Sequence, residues 1–342
     1  MEFNPNSLGI PNGNFFALPY SVEEAEIVLL SVPWDVTTSY RSGTHKGPKA
    51  MIDASVQIDL FDPLVPQAWK ISIGTLPPLT KIAQKNKIFR KKATEVIDAL
   101  EQEQEPESYA QALSLVNIAC TELNKEVYQA SFSQLERGKF VGVVGGEHSV
   151  PLGLIQALTD RYESFGILHI DAHADLRNAY EGFHHSHASI MFNVVHHSLI
   201  KSLVQVGIRD YCQDEVDFIK SRSDIFCFTD EYIHRHLFEG GTWGQLCREI
   251  MEKLPDYVYI SFDIDGLTPE LCPNTGTPVP GGLSFREADY LLFTLANSDK
   301  RIIGFDLCEV APGKGDDWDA NVGARLLFKL CCYSHLNQIK KK

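Results

Sequence analysis

From Lys139 onward, short apolar runs alternate with helix-like segments, and this rhythm constrains the fold more than any other feature. The runs are Phe140 to Val144, Ile167 to Ile170, Leu203 to Val206, Ile225 to Phe228, Tyr257 to Phe262 and Arg301 to Leu307. They read as buried strands. Helix-like segments between most of them are Pro151 to Tyr162, His187 to His196, Asp214 to Ser221, Trp243 to Lys253 and Phe285 to Ala296, and a last helix is expected from about Val322 to Leu336. Such alternation builds a mainly parallel sheet covered on both faces. Ligands of these sheets sit outside the carboxyl ends of the strands.

The N-terminal part is less regular. Residues up to Tyr20 are rich in Asn, Pro and Gly and read as an arm of about 22 residues, pinned by Phe15 and Phe16. Glu26 to Val32 reads as a buried strand stopped by Pro33. The loop WDVTTSYRSGTHKGP has the Gly, Ser and Thr content of a backbone that wraps closely around something. Pro48 to Ser55 reads as a helix. Lys81 to Glu136, rich in Lys, Gln and Glu, reads as a helical insertion of two helices broken near Pro106. With no repeat and no linker, one domain over residues 1–342 is expected.

The chemistry-bearing residues fall just after strand candidates. Gly166 to Asp175 reads GILHIDAHAD, and residues two apart in extended backbone point to the same side. Asp171, His173 and Asp175 therefore converge. His148 follows the first run through a Gly-Gly pair, Asp263 and Asp265 follow Tyr257 to Phe262, and Glu309 follows Arg301 to Leu307. In a parallel sheet these ends share one edge, so two His and four Asp meet in one crevice. Carboxylates this crowded raise one another's pKa and call for cations. The ligands exceed the need of one ion, and two ions roughly 3.5 Å apart with bridging carboxylates is the natural solution. Oxygen plus imidazole ligands suit Mn, or Ni or Fe.

Composition narrows the classes. A formal charge of -14 argues against nucleic acid as a partner. The eight cysteines form no Cys-x-x-Cys pair, which argues against structural zinc and for buried small hydrophobes in a reducing compartment. No basic, apolar leader and no membrane-length apolar run is present, so a cytoplasmic location without membrane contact is expected.

The motifs GGEHS, DAHADLR, SHAS and SFDIDGLTP, with the late Glu of DLCEVAP, resemble the arginase–agmatinase, or ureohydrolase, family in order and spacing. The resemblance implies a three-layer α/β/α fold with an eight-stranded, mainly parallel sheet, assembled as a homotrimer or homohexamer. It implies one ion on His148, Asp171, Asp175 and Asp263 and another on Asp171, His173, Asp263 and Asp265, with Mn expected and Ni as the alternative. It also implies His187 as the group that moves the proton and Glu309 as the carboxylate that receives a guanidinium. The implied reaction is hydrolysis of a guanidino C–N bond with release of urea.

DAHADLR followed by SHAS is closer to the agmatinase-like members than to the arginases, and LRNAYEG lacks the arginase pattern for an amino acid's carboxylate and amine. Two substrates stay open: agmatine or another ω-guanidino amine, and free guanidine. The arm and the VPWDVTTSYR loop look similar to the subgroup that hydrolyses guanidine and uses nickel. Trp318 reads equally as a platform for a guanidinium and as a packed loop residue, and Asp316, Asp317 and Asp319 as solvated loop charges. A non-catalytic metal-binding protein is the alternative of another class, disfavoured because metal binding needs neither His187 nor Glu309. A two-metal phosphoesterase would need a phosphate cradle that the sequence lacks.

Overall fold

The computed structural model describes residues 4–341; Met1 to Phe3 of the expected arm and Lys342 lie outside them. Eight parallel strands form one sheet in the order β2-β1-β3-β8-β7-β4-β5-β6. They are β1 (Ile27–Val32), β2 (Ile73–Thr75), β3 (Phe140–Gly145), β4 (Phe165–Ile170), β5 (Ile200–Val206), β6 (Ile225–Phe228), β7 (Tyr257–Asp263) and β8 (Arg301–Cys308). Among the described residues every strand pairing is parallel, so the sheet is wholly rather than mainly parallel. Strands β1 and β4, and β3 and β8 beyond their first residues, are buried because helices cover both faces.

Among the described residues the α-helices are α1 (Gly47–Ser55), α2 (Ile82–Glu101), α3 (Ala110–Glu136), α4 (Leu152–Thr159), α5 (Ile190–Val195), α6 (Gln213–Ser221), α7 (Asp230–Phe238), α8 (Trp243–Lys253), α9 (Phe285–Asn297) and α10 (Trp318–Lys340). Helices α1, α7, α8, α9 and α10 bury their apolar stripes against one face of the sheet. Helices α2, α3, α4 and α5 bury theirs against the other, with α6 beside them. The arm ends in this packing: Phe15 and Phe16 are buried, and the Phe16 ring meets that of Phe328 in α10 edge-on at 5.3 Å. The two helices expected over Lys81 to Glu136 are α2 and α3, which form a hairpin with Pro106 in the turn between them.

Four elements differ from expectation. The short edge strand β2 and helix α7 were not anticipated. Helix α10 begins at Trp318 and ends at Lys340, so it is longer at both ends than the apolar pattern suggests. The expected helix from His187 is shorter; residues 187–189 form a single 3-10 turn ahead of α5. All eight cysteines are free, and six of them are buried. Among the described residues, no helix is long and apolar enough to cross a membrane.

Candidate metal centre and active site

The site occupies the carboxyl ends of β3, β8, β7 and β4, which are adjacent in the sheet. Two glycines bring the backbone segments together. A Cβ on Gly146 would lie 2.1 Å from the carbonyl oxygen of Trp34, and one on Gly266 would lie 2.8 Å from the Asp171 backbone nitrogen. Asp175 and Glu309 adopt left-handed backbone conformations, with φ of 54° and 63°. For Glu309 this geometry is costly, and it persists because the sheet and its loops over-determine it.

All six expected metal ligands meet here. The Nδ1 atom of His148 lies 2.9 Å from Asp171 Oδ2, 3.2 Å from Asp175 Oδ2 and 3.4 Å from Asp263 Oδ2. The Nδ1 atom of His173 lies 3.2 Å from Asp265 Oδ2 and 3.4 Å from Asp171 Oδ1. Asp171 thus belongs to both groups through different oxygens. Asp263 Oδ1 accepts the Asp265 N–H at 2.8 Å, which aims its other oxygen at His148.

Surrounding bonds set which atoms face the centre. Ser261 donates its hydroxyl to Asp306 Oδ2 at 2.9 Å, so its oxygen accepts the Nε2–H of His148 at 2.9 Å. The Nδ1 lone pair of His148 is left facing three carboxylate oxygens. A proton or a cation has to sit between them. Burial opposes charging of His148, yet its hydrogen bonds with Asp171, Asp175 and Asp306 and the charge of Asp263 hold its pKa well above the ordinary value. Burial, with Asp171 next to it, pushes Asp175 up to about 6. Burial and the charges of Asp265 and Asp171 push Asp263 well up. Among the described residues these carboxylates have only histidines as ionic partners. The donor set, dense in carboxylate oxygen and imidazole nitrogen and lacking a compensating Lys or Arg, fits divalent cations.

One residue of the site was not anticipated. His169, inside β4, places Nε2 2.9 Å from Asp171 Oδ2. Gln205 donates to both Ala174 O and His169 Nδ1, at 2.8 and 3.0 Å. His169 Nδ1 therefore accepts, and its Nε2–H donates to Asp171. The ring orients that carboxylate and has no lone pair to offer an ion. The two-residue period of Asp171, His173 and Asp175 runs back to His169 and was the available signal.

Glu309 Oε1 accepts the His148 N–H at 2.8 Å, and its Oε2 is buried without a partner. Burial and the charge of Glu147 raise its carboxyl pKa well above the usual range. His187 shares a cavity of about 150 Å³ with Ser39, His173, Asp175, Arg177, Tyr180, Asp210, Glu215 and Thr277. Burial, with His173 nearby, lowers its pKa to about 3.

Trp318 is not gathered into this cavity. It is half-exposed at the start of α10, and its indole N–H donates to Glu270 O at 2.9 Å. Asp319 is not a solvated loop charge: it is buried and accepts both the backbone N–H and the side-chain amide of Asn274 at 2.9 Å. Among the described residues of the arm, none lines the cavity, and Phe16 packs against Phe328 of α10.

The family model described as the arginase family matches residues 25–332. An N(1)-aminopropylagmatine ureohydrolase of Thermus thermophilus is 32% identical over 294 residues, covering 86% of this chain and 85% of the relative. An agmatinase of Bacillus anthracis is 28% identical, covering 85% and 86%. The agmatine ureohydrolase structure of Thermoplasma volcanium superposes with a TM-score of 0.74 at 21% identity, covering 98% of this chain and 97% of that one. With motifs, fold and site in agreement, the chain belongs to the arginase family, as an agmatinase-like ureohydrolase.

Proposed function

We propose that the chain hydrolyses the guanidino C–N bond of an ω-guanidino amine such as agmatine, releasing urea. The cavity lining carries this reading. It runs from the buried Asp175 past His187 to Glu215 and the exposed Asp210, so acidic side chains lie where a distal ammonium would reach. Arg177, on the same wall, is drawn over the Tyr180 ring at 4.7 Å and toward Glu215 at 3.7 Å, which partly offsets its charge. Of the three candidate closures for a guanidine-only pocket, the described arm residues and Trp318 pack elsewhere, and the Trp34 to Arg41 loop contributes only Ser39 to the cavity wall. The relatives named for guanidino amines support the same direction.

In this reading His148, Asp171, Asp175 and Asp263 hold one ion, and Asp171, His173, Asp263 and Asp265 hold the other, with Mn expected and Ni the alternative. Ions bound there supply Lewis acidity that brings the pKa of water to roughly 7. Glu309 Oε2 accepts guanidinium N–H groups by charge-assisted hydrogen bonds and fixes the planar carbon toward the metal ligands. His187, on the cavity wall, carries a proton from the attacking water to the departing amine nitrogen. The water oxygen bonds to carbon, the C–N bond breaks, and urea and the diamine leave.

Elemental analysis of Mn-loaded protein should give close to two equivalents per chain, with urea released from agmatine. One equivalent at full activity contradicts the two-ion arrangement. No urea from any guanidino compound contradicts the reaction.

A further inference from the structure

We infer that Glu147, acting through Thr37, positions His187 for proton transfer; this rests on the reading of His187 given above. Glu147 is fully buried beside the site. Its Oε2 accepts the Thr37 N–H at 2.7 Å. Its Oε1 accepts the Thr37 hydroxyl at 2.9 Å and the Ser149 hydroxyl at 2.6 Å. The Thr37 hydroxyl has one hydrogen, and Glu147 takes it. Thr37 Oγ1 is thereby left as an acceptor, and the His187 backbone N–H donates to it at 3.1 Å.

The chain of bonds joins three segments. Glu147 follows β3, Thr37 lies in the loop after β1, and His187 opens the turn before α5. The neighbouring Ser39, on the same loop as Thr37, brings its Oγ to 3.4 Å from His187 Nε2. The loop therefore holds His187 at its backbone and limits its ring from the other side. Glu147 and Thr37 touch neither the metal ligands' donor atoms nor the cavity, so they are positioning residues. The Gly, Ser and Thr content of this loop, noted in the sequence, serves a catalytic side chain.

The test is Thr37→Val, which removes the hydroxyl and keeps the backbone bond to Glu147. A displacement near 1 Å costs on the order of 100-fold in rate, so kcat should fall about 10- to 100-fold. KM, metal equivalents and Tm should stay near wild type, and Thr37→Ser should restore the rate. The double variant Thr37→Val/His187→Ala should be no slower than His187→Ala alone, because both changes remove one function. Glu147→Gln, which lacks one acceptor oxygen, gives a second route to the same kcat loss. Wild-type kcat in Thr37→Val with a slow His187→Ala overturns the positioning role, as do fully additive losses. A wild-type rate in His187→Ala overturns the role of His187 itself, and this inference with it.

Discussion

The backbone N–H of His148 donates to Oε1 of Glu309 at 2.8 Å, while Oε2 of the same carboxylate is buried with no partner. One bond thus ties the loop carrying His148 to Glu309, across β3 and β8. In the proposed reaction the free oxygen is the acceptor for guanidinium. Glu309→Gln keeps an acceptor for His148 and removes the charge. Hydrogen bonds to charged groups contribute about 1.5–3 kcal/mol, so kcat/KM for agmatine should fall roughly 10- to 150-fold with metal content intact. Steady-state kinetics and elemental analysis on the same preparation check both halves. An unchanged kcat/KM would place the guanidinium elsewhere.

Metal binding should be linked to pH with a definite sign. Without metal, Asp175 is pushed up to about 6, and Asp263 and Glu309 are pushed well up. Groups raised on folding contribute stability that is present below their unfolded pKa and lost as pH rises through the folded one. For Asp175 that window lies between its ordinary 3.8 and about 6. In the proposed centre, cations replace the protons that Asp175 and Asp263 would otherwise hold. The rise in Tm on adding Mn should therefore grow between about pH 5 and pH 8. Thermal unfolding with and without Mn across that range measures it, and a pH-independent rise contradicts the linkage.

The α2–α3 hairpin holds the loops of the active site. Arg90 in α2 donates to Val36 O at 3.0 Å and to Thr38 O at 2.5 Å. Asn86 binds Asp35 through both its amide oxygen and its amide nitrogen. In α3, Asn117 donates to Gly182 O at 3.0 Å and accepts the His184 N–H at 2.8 Å, just before His187. Arg90→Met should lower stability by about 1.5–3 kcal/mol and kcat several-fold, leaving two metal equivalents in place. Denaturant unfolding and urea assays would read these separately. A stability loss with unchanged kcat would make the hairpin a scaffold only.

Asp210 supplies the exposed carboxylate of the cavity, 4.0 Å from His173 Nε2. Asp210→Asn should raise KM for agmatine several-fold and leave any turnover of free guanidine unchanged, since only agmatine carries an ammonium to that end. Equal effects on both would mean that Asp210 acts through His173 rather than on the substrate.

The strand ends were legible because each carries an apolar run that stops abruptly at a charged residue. Those ends name all six residues of the candidate centre, plus Glu309. Side chains inside a run were harder to see. His169 lies within GILHID, where an apolar strand hides it, and only its alternation with Asp171 marks its direction. The three residues of β2 are too few to show a period, and the first turn of α10 gave no sign that Asn274 would bury Asp319. Helix α7 carried readable signals, the cap by Thr229 and acidic residues in its first turn, but its polar surface masked them. The Glu147–Thr37–His187 relay could not be read, because it joins residues 110 and 150 positions apart.

Whether the distal end of the substrate matters is decided by comparing urea release from agmatine and from free guanidine, each with Mn-loaded and Ni-loaded protein. The cavity that runs out to Asp210 and Glu215 predicts a kcat/KM for agmatine well above that for guanidine with either metal. A higher kcat/KM for guanidine would contradict the guanidino-amine assignment.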